Sequence, residues 1–180
     1  VDGGAKILAL HANEKITEGL DGLRDRLVEY FQLGARFAKW RAVITIGDGI
    51  PSSGCIHANA HALARYAALC QEVGLVPIVE PEVLMDGNHT IETCHNVSKR
   101  IFYHVFEELN KQDVYIEGIV LKPNMVVSGI DCKEQAPVEE VAQRTIDCLK
   151  ETVPNSVPGC AFLSGGQTNN AATEHLNSMN

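Results

Sequence analysis

VYIEGIVLKPN, residues 114–124, is a run of β-branched and aliphatic residues that ends on a lysine followed by a proline. Valine, isoleucine and leucine at this density suit a strand buried on both faces, and such a strand has no packing use for an amine at its end. Pro123 offers no ladder donor and biases Lys122 toward extended backbone, so the amine is held where the strand stops. The fold turns on whether neighbouring runs carry charge in the same place.

They do, in a regular alternation. Residues 17–34 carry Leu20, Leu23, Leu27 and Tyr30 at helical spacing, with Gly34 as a stop. RFAKWRAVITIG (36–47) reads as a strand, the Ala-rich 57–74 as a helix ending on Gly74, and LVPIVEPEV (75–83) as a short strand. Residues 90–112 form a long helix capped by Thr90, 114–124 the next strand, and 137–153 a helix with Pro137 near its first turn, where a missing donor costs nothing. GCAFLSGGQ (159–167) is the last strand and 169–180 a closing helix.

Strict alternation with apolar strands means a parallel sheet with crossover helices, an α/β fold. Lys39, Glu80, Lys122 and Ser164 stand 41, 42 and 42 residues apart, at what this reading takes as the strand ends. A solenoid would repeat its residues as well as its architecture, and these units share only architecture. Doubly wound sheets and (β/α)8 barrels remain; the barrel leads, because it gathers chemistry from the C-terminal ends of several strands.

Residues i and i+2 share a strand face. Lys39 and Arg41 therefore point one way, Glu80 and Glu82 point one way, and Lys122 is expected to share a face with Asn124. Three cations and two carboxylates are offered to one interior, where an unpaired charge is very costly. An ordinary lysine has a pKa near 10.4, leaving roughly one amine in two thousand free at pH 7. Burial and a second cation both disfavour an ammonium, and a deprotonated amine attacks carbonyls to form a Schiff base, an electron sink. Carbinolamine formation and dehydration each move a proton, which is work for neighbouring glutamates.

Composition narrows the classes. With 180 residues, 45% apolar and 21% charged, the chain can bury a real core. A formal charge of −8 argues against nucleic acid as a partner. No apolar run reaches the length of a membrane-spanning helix and no signal-peptide pattern opens the chain, so the expected setting is soluble and cytoplasmic. Six dispersed cysteines without a CxxC pair fit free thiols. His57 and His61 have a spacing that can bind metal, but the sequence places no third ligand near them and a plain helix face is the leading reading. Met125, Phe31, Phe37, Phe102 and Phe106 read as core.

IEGIVLKPN (116–124) resembles the Schiff-base lysine motif of class I fructose-1,6-bisphosphate aldolases. The likeness extends through GLDGL (19–23), FAKWRAV (37–43), LARYA (63–67), GLVPIVEPE (74–82), LKPNMV (121–126), TVP (152–154) and FLSGGQ (162–167), covering essentially the whole chain. The resemblance implies a lyase of glycolysis and gluconeogenesis that reversibly cleaves fructose 1,6-bisphosphate to dihydroxyacetone phosphate and glyceraldehyde 3-phosphate. It implies no metal or other cofactor, and a homotetramer. On matching positions, Lys122 resembles the imine-forming lysine and Glu80 the acid/base that dehydrates the carbinolamine. Lys39 looks like the second lysine beside the scissile carbons, Glu82 the carboxylate balancing the lysine pair, and Arg41 a cation near the sugar phosphate. Ser164, Gly165 and Gly166 match a phosphate-binding loop, where backbone N–H groups approach an anion.

Ile119-Val120 replaces the family's usual Thr-Leu, and residues 10–20 and 45–61 also depart from its pattern, which suggests a divergent member. A complete barrel needs about 250 residues, so residues 1–180 are expected to form one partial barrel domain, from about the end of the third strand to the helix after the seventh, with both ends truncated. The resemblance places an early-strand aspartate, a phosphate-binding lysine, a late-strand arginine and a C-terminal tail outside this segment, which alone is expected to be weakly active or inactive. The alternative is a non-catalytic scaffold or binding form of the aldolase fold.

Overall fold

The computed structural model describes residues 1–180. The chain opens with a small antiparallel hairpin, β1 (Ala5–Ile7) and β2 (Lys15–Thr17), which the sequence reading did not contain. Helix α1 (Leu23–Gln32) follows, then β3 (Phe37–Ile44), α2 (Ser53–Glu72), β4 (Val76–Val83), α3 (Ile91–Lys111), β5 (Val120–Leu121), α4 (Val138–Thr152) and α5 (Asn169–Ser178). β3, β4 and β5 form a parallel sheet in that order.

Local chemistry sets most boundaries. Ser52, Thr90 and Thr168 each turn a side-chain oxygen onto the backbone N–H three residues on, capping α2, α3 and α5. Pro137 is the residue before the first turn of α4 and leaves no orphan donor there. The first helix starts at Leu23, six residues later than its apolar spacing suggests. Thr17 is committed to β2, and Gly19 sits at φ 121° with its Cα so close to Gly3 that a Cβ would lie 2.5 Å from the Gly3 nitrogen.

Sheet and helices share one hydrophobic core. Ala38, Trp40, Ala42 and Ile44 alternate toward the helix side of β3, and α2 meets them with Ile56, Ala60, Leu63, Ala64 and Ala67, its alanines allowing close approach. Tyr66 stacks on Trp40 with ring centroids 5.5 Å apart, and its hydroxyl donates to Ala38 O at 2.6 Å with Ile78 O 3.2 Å away. Ala38 and Ile78 flank Lys39 in the ladder, so this phenol fixes the sheet beside the charged face. Burial pushes the phenol's pKa far up, keeping the donor neutral. Phe37 corrects the core expectation: it has the parity of Lys39, faces the same open side and is 65% exposed. All six cysteines are free, as expected.

Two expected strands shrink, for a backbone reason. Ile116–Gly118 make a turn of 3-10 helix, and β5 covers two residues instead of the 114–124 run. Val76 N donates to Arg36 O and Leu84 N to Ile44 O, so the even-numbered donors of β4 serve β3. Lys122 N donates to Val79 O at 2.8 Å on the other side, and the next donor in that ladder would be position 81, a proline. The ladder therefore ends at Lys122. The last expected strand reduces to one bridge, Leu121 with Cys160, held by Leu121 N to Gly159 O and Ala161 N to Leu121 O.

Tyr66→Phe should lose about 1–2 kcal/mol of stability, read as a lower urea midpoint at unchanged m-value. Glu14, buried beside the start of α2, accepts from Ser52 N at 2.7 Å. Burial pushes its pKa up, but the hydrogen bonds from Ser52 and Cys55 and the nearby His11 outweigh this and lower it below 4.5. A depressed folded-state pKa gives stability that is complete above the unfolded value and is lost as pH falls through the folded one. Glu14→Gln should accordingly be less stable at pH 7, with the gap to the parent chain narrowing only below about pH 4.5.

Candidate active site

Eleven residues line one open cavity of about 390 Å³ beside the sheet: Lys39, Arg41, Glu80, Glu82, Leu84, Asp86, Lys122, Leu163, Ser164, Gly165 and Gly166. All eight residues singled out in the sequence are among them. Lys39 and Arg41 come from the middle of β3, Glu80 and Glu82 from the second half of β4, and Lys122 follows β5 directly. The first four thus stand inside their strands, not at the strand ends, because the ladder between β3 and β4 continues to Ile44 and Val83. Parity alone aims them at the same side.

The charges pair. Lys122 Nζ donates to Glu80 Oε1 at 2.5 Å, with 15% of the lysine side chain and 3% of the glutamate side chain exposed. Glu80 Oε2 lies 3.5 Å from Lys39 Nζ, a charge contact without hydrogen-bond geometry, and this buried oxygen has no hydrogen-bond partner. One carboxylate therefore sits between two amines, with one oxygen hydrogen-bonded and the other held only by charge contact. Arg41 Nε donates to Glu82 Oε2 at 2.5 Å. That hydrogen bond raises the guanidinium's pKa above its usual value against the opposing effect of burial, so Arg41 is a fixed cation.

Asn124 corrects the face expected for it. It turns away from Lys122: its Oδ1 accepts from Val83 N, and its Nδ2 donates to Ser98 Oγ on α3 and to Met125 O. Backbone past the end of β5 no longer alternates, and the last odd-numbered donor of β4 needs an acceptor that only this side chain supplies.

Ser164, Gly165 and Gly166 form a turn closed by Gln167 N donating to Ser164 O, with left-handed φ of 61° and 96° at the two glycines. A Cβ on Gly166 would lie 3.0 Å from Met85 Sδ, and the left-handed φ there is one that other residues rarely adopt, so glycine suits a turn resting against the loop after β4. The turn leads into α5, capped by Thr168. Sequence reasoning missed Leu84, Asp86 and Leu163. The even series 80, 82, 84 and 86 continues past the end of β4 and was the available signal for two of them.

The arrangement can hold an anionic carbonyl compound, deliver a primary amine to its carbonyl carbon and shuttle protons through a carboxylate. No cluster of three or more His, Cys, Asp or Glu side chains is arranged to hold a metal ion, and no helix is long and apolar enough to cross a membrane.

The family model for class I fructose-bisphosphate aldolase matches residues 1–180. A probable class 1 fructose-bisphosphate aldolase of Xanthomonas campestris is 63% identical over 179 residues, covering 99% of this chain and 54% of that protein. The cytosolic fructose-bisphosphate aldolase 6 of Arabidopsis thaliana is 51% identical over 180 residues, covering 100% of this chain and 50% of the relative. A solved Plasmodium falciparum fructose-bisphosphate aldolase, in complex with TRAP and a small-molecule inhibitor, superposes with a TM-score of 0.98 at 46% identity, covering 99% of this chain and 52% of that one. The chain thus spans about half the length of the relatives it matches. Its parallel strands and crossover helices are part of a (β/α)8 barrel. With the family match running from the first residue to the last, the chain belongs to the class I fructose-bisphosphate aldolases.

Proposed function

We propose that residues 1–180 supply the central part of an aldolase barrel, and that the protein containing them reversibly cleaves fructose 1,6-bisphosphate to dihydroxyacetone phosphate and glyceraldehyde 3-phosphate in glycolysis and gluconeogenesis. The observation that carries this reading is the Lys122–Glu80–Lys39 arrangement, an amine hydrogen-bonded to a buried carboxylate whose second oxygen is free beside another amine.

The chemistry follows from the positions. A proton passes from Lys122 Nζ to Glu80, and the freed amine attacks the ketone at C2 to form a carbinolamine. Glu80 returns a proton to the departing hydroxyl, which leaves as water, and an iminium results. The bond between C3 and C4 then breaks, its electron pair moves into the iminium to give an enamine, and the C4 hydroxyl proton passes to a base that the family resemblance places elsewhere in the barrel. The aldehyde product departs, the enamine takes a proton at C3, and water hydrolyses the iminium to regenerate Lys122. Lys39, beside Glu80, stabilises negative charge near the reacting carbons. Glu82 holds Arg41 in place to meet a phosphate, and the N–H groups of Ser164, Gly165 and Gly166 take the other.

Every step is acid-base and carbonyl chemistry, so the reading requires no metal. A cytoplasmic homotetramer is the assembly proposed by the same resemblance, and residues 1–180 alone are proposed to be weakly active or inactive.

Borohydride reduction in the presence of dihydroxyacetone phosphate, followed by peptide mapping of the full-length protein and of residues 1–180, should place one adduct on Lys122 in the former and none in Lys122→Met. A folded full-length protein without an adduct would instead support a non-catalytic binding form of the fold. Chelator should leave turnover unchanged. Glu80→Gln should keep substrate binding but lower kcat by about 10²–10⁴-fold, with carbinolamine dehydration becoming the slow step in single-turnover measurements.

A further inference from the structure

The Ser164–Gly166 turn is held from behind by side chains that have no part in the chemistry proposed above. Gln167 N donates to Ser164 O at 3.0 Å, and Gln167 Nε2 donates to the same oxygen at 2.9 Å. Both lone pairs of that carbonyl are thereby used. The Ser164 carbonyl and the Gly165 N–H belong to one planar peptide unit, so holding the oxygen aims the N–H the opposite way. Neither Gly165 N nor Gly166 N donates within the chain. Gln167 Nε2 also approaches Met125 Sδ at 3.5 Å, three residues past Lys122. One amide thus touches both the turn and the segment that carries the amine.

His175 orients that amide. Its Nδ1 stands 2.6 Å from Gln167 Oε1, an oxygen that only accepts, so Nδ1 is the donor. Burial lowers the imidazole's pKa below its ordinary value against the opposing charge of Glu174, so the ring at neutral pH carries one proton, on Nδ1. Turning the amide over would set oxygen against the Ser164 carbonyl and N–H against N–H. With Oε1 taken, Gln167 can therefore present only Nε2 to the turn.

The place of this histidine is unusual. It is the one buried residue of α5, a position that helices ordinarily give to an apolar side chain. A buried imidazole costs stability unless it is hydrogen-bonded. The start of α5 is already capped by Thr168, so the bond to Gln167 is not needed to begin the helix. Such outer support is what keeps a binding group in its working geometry.

We infer that His175 is a positioning residue for the anion-binding turn: through Gln167 it aims the Gly165 N–H and keeps the turn in register with Lys122, so that a phosphate next to a ketone is held while the ketone meets the amine. This rests on the aldolase reading of the cavity and adds to it a residue of α5 that does not line the cavity.

The test is borohydride trapping at Lys122 in the full-length protein with two ketones, dihydroxyacetone phosphate and dihydroxyacetone, which differ only in the phosphate. In His175→Ala the concentration of dihydroxyacetone phosphate that half-saturates trapping should rise about tenfold, while that of dihydroxyacetone stays as in the parent. Unchanged trapping of dihydroxyacetone also shows the variant to be folded. His175→Asn, whose amide N–H stands near the place of Nδ1, should restore the parent value. Gln167→Ala should match His175→Ala, and the double variant should be no worse than either, because both act through one chain of hydrogen bonds. Equal changes for the two ketones, no change for dihydroxyacetone phosphate, or an Asn variant no better than Ala overturns the role of His175 and leaves the aldolase reading standing. A folded parent that traps neither ketone overturns both.

Discussion

Glu80 is the constraint on which the rest of the site depends. A carboxylate with 3% of its side chain exposed is tolerable only if cations surround it, and Lys122 at 2.5 Å and Lys39 at 3.5 Å do so from the two neighbouring strands. Parallel strands lie about 4.8 Å apart, which lets side chains from β3, β4 and the end of β5 meet at one carboxylate. In the proposed chemistry the interaction that makes the buried charge bearable is also the one that moves a proton, so structural and chemical demands fall on the same atoms.

Backbone features hold this meeting point from behind. Pro81 stops the ladder between β4 and β5, and the last bond before it, Lys122 N to Val79 O, fixes the lysine's backbone where its side chain reaches Glu80. Asn124 then ties the departing chain to Val83 N, one residue from Glu82, and to α3. Tyr66 performs the corresponding task for Lys39, with its hydroxyl against the carbonyls beside it and its ring on Trp40. The apolar face of the sheet therefore sets the geometry of the charged face. Against a net charge of −8, the three cations of this cavity are matched by Glu80, Glu82 and Asp86, so its lining is formally neutral where the chain as a whole is acidic.

Much of this was legible in the residues. Period-2 parity put Lys39 with Arg41 and Glu80 with Glu82, and the structure pairs them across the strands. Helix boundaries written in the Thr90 cap and Pro137 came out within a few residues, because a cap acts over one turn of chain. The β1–β2 hairpin was not legible: three-residue strands carry too little alternation to register. Nor was the shortness of β5, since an apolar run reads as a strand whether or not its neighbour can bond to it.

By itself, then, the sequence determined the alternating α/β architecture, the residues that carry charge into the interior and the family to which they point, because propensity, parity and motif are local properties of the chain. Only the tertiary structure decided that Glu80 divides its two oxygens between Lys122 and Lys39, that Asn124 faces α3 while Lys122 faces the cavity, that Asp86 joins the cavity wall, and that His104 lies over His57. The contacts among these join residues 26 to 47 positions apart in the chain, and Asp86 lies on backbone that has left its strand; no short-range pattern encodes such contacts.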